Sequence, residues 1–94
     1  MADAKQMARM FKALSTPARV QIVMLLKDRS LCVNALAARL LVTPAAVSQH
    51  LRILRDADLV VSEKRGNYVH YRIDPETLRR WGKLADGLLS TDAE

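Results

Sequence analysis

The sequence has a single cysteine among its 94 residues, which excludes one class of small protein at once. Cys32 has no second thiol for a disulfide within the chain, so a secreted domain held together by disulfides is excluded. The first fourteen residues, MADAKQMARMFKAL, lack the apolar core of a signal peptide, and no apolar run approaches the roughly 18 residues of a membrane span. We therefore expect a protein of the reducing cytoplasm with no membrane partner.

The residue sets of common enzyme mechanisms are also missing. The sequence shows no Ser-His-Asp set, no paired carboxylates on a rigid face and no phosphate-binding loop. It also contains no internal repeat and no low-complexity segment. These absences favour a binding protein over an enzyme, and no residue pattern indicates a cofactor.

What the chain does have is enough apolar residues for one core and an excess of positive charge. Half of its residues are hydrophobic, and its length predicts one domain spanning residues 1–94. A domain of this size is marginal alone, so dimerisation would help it to bury more surface. Fifteen Lys and Arg against ten Asp and Glu give a net charge of +5, which favours an anionic partner such as nucleic acid.

The stretch TPAAVSQHLRILR, residues 43–55, predicts an amphipathic helix with two differently used faces. Thr43 can cap this helix and Pro44 suits its first position, where no amide donor is needed. Val47, Leu51 and Leu54 then recur at spacings of four and three, which predicts a buried stripe.

The opposite face of this helix is small, polar and cationic, with Ala45, Gln49 and Arg52 and with Ser48 at its flank. Gln and Arg can read base edges in a DNA major groove, and small residues permit close approach. A second short helix is predicted at residues 33–40. Residues 33–56 therefore have the spacing of a helix-turn-helix, although the turn lacks the glycine that is common there.

Two β runs follow, at residues 59–64 and 68–73, on either side of Arg65-Gly66-Asn67. We expect a hairpin over residues 59–73 that packs on the helices, because an isolated two-stranded ribbon is unstable. Its tip carries Lys64 and Arg65, so it is expected to act as a wing that holds DNA phosphates. On its second strand, Val69, Tyr71 and Ile73 are predicted to share one face.

Three further helices complete the prediction. Residues 2–14 are predicted to form the first of these helices. Residues 17–27 are predicted to form the second, which is mostly buried and is capped by Thr16. Val20 and Met24 are expected to lie inside the protein, and Arg19 interrupts the apolar pattern. The last helix, residues 75–89, is expected to be capped by Asp74. An apolar stripe on the first and last helices predicts a subunit interface, to which we assign Met7, Phe11, Leu78, Trp81, Leu84, Ala85 and Leu88.

Four stretches together resemble the ArsR/SmtB family of bacterial transcriptional repressors: FKALSTPAR (11–19), LCV (31–33), PAAVSQHLRIL (44–54) and GNYVHYRI (66–73). The resemblance implies a mainly helical winged helix-turn-helix with a small β-hairpin, in the order α-α-α-α-β-β-α. It also implies a homodimer formed by the first and last helices, which represses by binding an operator and is released by an inducer.

A two-fold dimer would place two copies of the 44–56 helix about one duplex turn apart, so the operator is expected to be an inverted repeat in double-stranded DNA. Ser48, Gln49 and Arg52 are the predicted base-edge contacts. The remaining predicted contacts, to the DNA backbone or to thymine methyl groups, are Thr43, Ala45, Ala46, His50, Lys64 and Arg65.

The metal sites of the family do not carry over to this sequence. Many members have a Cys-x-Cys pair that binds a soft ion, but here Cys32 is followed by Val33 and Asn34. One thiolate is too few for a soft metal ion, and the last helix has no histidine for a second type of site. We therefore predict no metal site.

Several alternatives remain open at this point. Cys32 is interpreted either as a small structural residue or as a redox switch that pairs with a partner's thiol or is oxidised to sulfenic acid. The regulator could equally be independent of any ligand. His70 is expected on the outer face of the wing, and a protein- or RNA-binding module of the same fold is the remaining class.

Overall fold

The computed structural model describes residues 2–91 as five helices and three strands. Met1 and residues 92–94 lie outside the described residues. In chain order the elements are α1 (Ala2–Ala13), α2 (Pro17–Leu26), β1 (Leu31–Cys32), α3 (Val33–Leu40), α4 (Pro44–Asp56), β2 (Val60–Arg65), β3 (Tyr68–Ile73) and α5 (Pro75–Leu89).

The sheet has three antiparallel strands in the order β1-β3-β2, so β3 is its central strand. The predicted hairpin is confirmed as β2 and β3, but β1 was not predicted. A two-residue strand is too short to show the alternation by which strands are recognised. Its pairing of Leu31 with Tyr71 ties the start of α3 to the wing.

Two of the three predicted helix caps are confirmed. The hydroxyl oxygen of Thr16 accepts a hydrogen bond from the amide of Arg19 at 3.2 Å, and that of Thr43 accepts one from Ala46 at 3.1 Å. The carboxylate of Asp74 makes no such bond to the first turn of α5. It accepts instead from the buried hydroxyl of Thr77 at 2.8 Å, and this hydrogen bond lowers the pKa of Asp74.

The hydrophobic core lies where α2, α3 and α4 meet the sheet and the α1–α5 pair. The predicted stripe of α4 is confirmed, because Val47, Leu51 and Leu54 are all fully buried. These three side chains fix which way α4 faces, so its opposite side points to solvent. The other buried apolar residues are Met10, Ala13, Ile22, Leu26, Leu36, Ala37, Leu59, Val60, Ile73 and Trp81.

The orientation predicted for α2 is wrong. Arg19 is only 8% exposed, whereas Val20 and Met24 lie on the surface at 40% and 66% exposure. The buried stripe consists of Arg19, Ile22 and Leu26, at spacings of three and four. Because nearly every residue of this helix is apolar, composition alone did not mark its outer face.

The turn between α3 and α4 contains no glycine, and a non-glycine residue in it adopts a strained backbone conformation instead. Leu41 follows α3 in the left-handed region, at φ 58°, and its side chain is 90% exposed. The amide of Val42 then donates to the carbonyl of Ala37 at 3.2 Å, which closes the end of α3. A side chain in this conformation costs roughly 1–2 kcal/mol.

Replacing Leu41 by glycine should therefore stabilise the fold. We expect the free energy of unfolding of Leu41→Gly, measured by urea denaturation, to rise by roughly 0.5–1 kcal/mol, since the relief of strain exceeds the entropic cost of glycine. Leu41→Ala is the matched control, because it removes the same exposed side chain but keeps a Cβ. An equal gain in both variants would show that the backbone conformation is not the cause.

Candidate nucleic-acid interface

The outer face of α4, formed by Ala45, Ser48, Gln49 and Arg52, lies open to solvent. These four residues line a shallow depression of about 270 Å³, and all four are exposed. In the described part of the chain, the side chains of Ser48, Gln49 and Arg52 have no intramolecular hydrogen bond or ion pair. Their donors and acceptors are thus available to a partner, on a helix held rigidly by its buried stripe.

Two other residues that the sequence assigned to this surface are placed differently. The hydroxyl of Thr43 is already engaged in capping α4, so it fixes the start of the helix. Ala46 is half-buried beside the core. Of the predicted set on α4, the structure therefore leaves Ala45, Ser48, Gln49 and Arg52 fully on one face.

The wing is confirmed as a basic hairpin, but two of its arginines share an acidic neighbour. Gly66 adopts a positive φ of 62° in the tight turn, and Val69 is exposed because the tip extends beyond the core. Glu63 accepts from Arg72 at 3.2 Å and from Arg65 at 3.4 Å. The hydrogen bond from Arg72, and then the charge of Arg65, lower the pKa of Glu63. Exposed pairs of this kind are weak, so Arg65 can exchange Glu63 for a phosphate.

A buried arginine forms a hydrogen bond to α4 from the core side of the helix. Arg19 donates through Nε to the carbonyl of Ala13 at 2.7 Å and through a terminal nitrogen to Nδ1 of His50 at 3.2 Å. Its other terminal nitrogen donates to Ser15 Oγ at 3.3 Å and to the carbonyl of Lys12 at 3.4 Å. The guanidinium thus caps the negative end of α1 and fixes one side chain of α4.

This contact determines the state of His50. A guanidinium only donates, so Nδ1 of His50 must be unprotonated and the ring proton lies on Nε2. Partial burial, and then the charge of Arg19, lower the pKa of His50. Nδ1 of His50 is thus bonded to a residue 31 positions away in the chain. The predicted contact of His50 with the DNA backbone stays a prediction, for which Nε2–H is free to donate.

Sequence reasoning missed that Arg19 is internal and contacts α4, although a signal was present. Arg19 stands three residues before Ile22 and seven before Leu26, which is the spacing of one helix face. A charged residue in phase with buried ones predicts a paired internal cation. We instead interpreted it as an interruption of the apolar pattern.

The structure also brings together two residues that the sequence treated separately. Cys32 lies opposite His70 on neighbouring strands. His70 is half-buried, which corrects the expectation that it lies on the outer surface, and its Nδ1 is buried without a hydrogen-bond partner. Its position in the central strand β3 explains the difference, because β1 covers one side of it.

The residues assigned to a subunit interface divide into two groups. Trp81 is 9% exposed and packs into the core of its own chain, and Leu78, Leu84 and Ala85 are partly buried against that core. Met7 is partly buried on α1. Phe11 and Leu88 remain on the surface at 40% and 51% exposure. Most of the apolar stripe therefore packs within its own chain, and a smaller apolar surface remains exposed at the end of α5.

Two absences apply to residues 2–91. No group of three or more His, Cys, Asp or Glu side chains in this part of the chain is arranged to hold a metal ion. None of the helices described there is long and apolar enough to cross a membrane.

Two helices joined by a short turn, with the second helix exposed on one face and a β-hairpin beside it, define a winged helix-turn-helix. Comparison with known proteins gives the family. Residues 16–62 match the model of "Bacterial regulatory protein, arsR family", and the chain belongs to that family. The family consists of regulators, in agreement with the prediction that the protein is not an enzyme.

Similar proteins cover nearly the whole chain. A transcriptional repressor SmtB homolog from Synechocystis sp. is 39% identical over 91 residues, which is 96% of this chain and 69% of that protein. The structure of an ArsR-like transcriptional regulator from Rhodococcus sp. superposes with a TM-score of 0.81 at 28% identity, covering 94% of this chain and 83% of that one. The homodimeric winged helix-turn-helix DNA-binding domain of a Mycobacterium bovis protein gives 0.75 at 30% identity, covering 95% and 86%.

The partly buried contact of His50 with Arg19 makes the free energy of unfolding depend on pH. Because its pKa in the folded state lies below the unfolded value of about 6.5, the unfolded chain binds the extra proton first. The contact therefore stabilises fully above about pH 7, and this stabilisation is lost as the pH falls through 6.5 toward the folded-state pKa. Urea denaturation should show lower stability at pH 5.5 than at pH 7.5, and His50→Gln should reduce this difference. An unchanged difference in the variant would assign the dependence to other groups.

Proposed function

We propose that the protein is a transcriptional repressor that binds an inverted-repeat operator in duplex DNA as a homodimer, in the cytoplasm, and is released by an inducer. One observation carries this proposal: the outer face of α4 presents Ser48, Gln49 and Arg52 unpaired, on a helix fixed by a fully buried stripe. Base readout requires an outer face that is held in a fixed orientation with its polar groups free.

Each residue of this surface has a distinct role in the proposed complex. Arg52 and Gln49 have the side chains that bond purine edges in the major groove, with Ser48 beside them. Ala45 is small enough for close approach or for contact with a thymine methyl group. His50 donates through Nε2–H to a phosphate while its Nδ1 stays bonded to Arg19.

The remaining contacts position the protein without reading sequence. Thr43 and Ala46 lie at the N-terminus of α4, where backbone amides and the helix dipole attract a phosphate. Lys64 and Arg65 on the wing bind the backbone beside the groove. The net charge of +5 supports association through counterion release, which makes affinity depend on salt.

Dimerisation is proposed through α1 and α5. The chain is elongated, with extents of 51 × 23 × 22 Å, and Phe11, Leu88 and Leu89 expose apolar surface on these two helices. Burying that surface against a second copy would remove it from water and set two α4 helices for two half-sites. Met7, Leu78 and Ala85 would extend the contact, while Trp81 supports it from inside each chain.

Substitutions of two arginines should separate base reading from phosphate binding. Arg52→Ala should cost roughly 1–3 kcal/mol on the operator and much less on random DNA, because it removes a base contact. Arg65→Ala should weaken both similarly and reduce the salt slope by about one unit. Fluorescence anisotropy at several salt concentrations measures both quantities, on an operator mapped by footprinting.

Arg79→Ala, an exposed arginine on α5, is the control for loss of charge alone. If Arg52→Ala leaves the ratio of operator to random affinity unchanged, α4 does not read the bases. Footprinting also tests the alternative of a protein- or RNA-binding module, since such a module would not protect a palindromic promoter site.

A second candidate, control of the same repressor by thiol oxidation, is favoured by the pairing of Cys32 with His70. The orphan Nδ1 of His70 lies on the strand next to the thiol. In this mechanism the thiolate attacks peroxide, the O–O bond breaks, hydroxide leaves and is protonated to water, and a sulfenic acid remains on Cys32. The added oxygen would disturb the junction of β1 and α3.

The signal can be identified by titrating the DNA complex with peroxide, arsenite, zinc, nickel and cadmium. Under the thiol mechanism, peroxide should release the wild-type protein and leave Cys32→Ser bound. Release of both proteins by a metal ion would overturn the prediction that metal sites are absent. Peroxide release of Cys32→Ser would exclude the thiol mechanism.

A further inference from the structure

A cavity of about 540 Å³ lies where α1 and α5 meet the C-terminal end of α4. This volume falls within the roughly 300–1,000 Å³ of typical small-molecule sites. Its apolar wall is formed by Met10, Ile53, Trp81 and Leu84. A flat ring of one or two fused cycles is the kind of group that such a wall accommodates.

The polar part of the cavity is predominantly basic. Arg9 and Lys12 come from α1 and Arg80 from α5, and none of these three side chains forms an ion pair within the described residues. Asp56 and Asp58 stand at the α4 side, and the buried Arg19 belongs to the wall as well. Four basic residues against two acidic ones leave an excess of two positive charges, so the cavity favours an anion.

On α1 the cavity lies apart from Phe11, which is proposed for dimerisation, whereas on α5 its lining residues Trp81 and Leu84 were also assigned to the subunit interface. Gln6, Arg9, Met10 and Ala13 line it at spacings of three and four, which makes them one stripe of α1. At about 100° per residue, Phe11 is rotated by roughly 150° from the centre of that stripe. A second copy seated on Phe11 therefore leaves the cavity-lining stripe of α1 accessible.

Resting on the proposed function, we propose that this cavity is a binding site for a small organic anion with an apolar ring, and that its occupancy lowers the affinity for the operator. The anionic group binds Arg9 and Arg80, and the ring packs on Trp81. The cavity reaches the DNA-facing helix by two routes. Ile53, Asp56 and Ala57 belong to α4 or its end, and Arg19 in the wall is bonded to His50.

Trp81 makes the binding step measurable, because it is the only tryptophan of the chain. Titration of the full-length protein with 2-naphthoate should shift the single indole N–H resonance in a saturable way, with one site per chain. The uncharged 2-naphthamide has the same ring and should bind at least about tenfold more weakly, since it lacks the charge-assisted hydrogen bonds. Equal binding of both probes, or no shift of this resonance, would overturn the proposal.

Two neighbouring arginines provide a matched pair of variants. Arg80 lines the cavity and Arg79 does not, although both are exposed on α5. Arg80→Gln should weaken 2-naphthoate binding about tenfold, and Arg79→Gln less than about twofold. Equal effects of the two substitutions would show that the anion binds elsewhere, and amide spectra of both variants establish that the fold is retained.

The effect on DNA is tested separately from the site itself. Saturating 2-naphthoate should lower operator affinity about fivefold or more in wild type, and operator DNA should lower 2-naphthoate affinity by the same factor, because coupling is reciprocal. Naphthoate binding without an effect on DNA would overturn the regulatory part alone. The affinity for the operator in the absence of 2-naphthoate tests the proposed function itself. A failure of the proposed function is therefore distinguishable from a failure of the proposed regulation.

Discussion

The guanidinium of Arg19 contacts both α1, which is proposed for dimerisation, and α4, which is proposed for DNA binding. It closes the end of α1 through the carbonyls of Lys12 and Ala13 and reaches His50 on α4 from the same group. No carboxylate neutralises it in these contacts. Its charge is balanced by carbonyl oxygens at a helix C-terminus, an arrangement in which each charge-assisted hydrogen bond contributes roughly 1.5–3 kcal/mol.

This contact has a consequence for how α4 presents its outer face. The helix is held on the core side by Val47, Leu51 and Leu54, and His50 adds a polar tether at one edge. Arg19 is therefore a direct contact between the end of α1 and α4. The helices proposed for dimerisation and the helix proposed for DNA contact share one interior.

The described surface has regions that differ in charge, in burial and in how far their polar groups are paired. The outer face of α4 keeps its polar groups unpaired, whereas the wing partly pairs its cations through Glu63. The cavity beside α5 collects basic side chains against an apolar wall that includes Trp81. The one thiol lies in β1, where it neighbours His70.

Local chemistry determined much of this protein from sequence alone. Thr16-Pro17 and Thr43-Pro44 fixed two helix starts, because a hydroxyl cap and a proline act within one turn. The stripe of α4 and the glycine turn of the wing were likewise predictable, since they depend on spacings of a few residues. Only the tertiary structure decided that Arg19 bonds to His50, that β1 completes the sheet against His70, and that Trp81 belongs to the core. Each of these depends on a contact between segments distant in sequence, and no local pattern records which segments will meet.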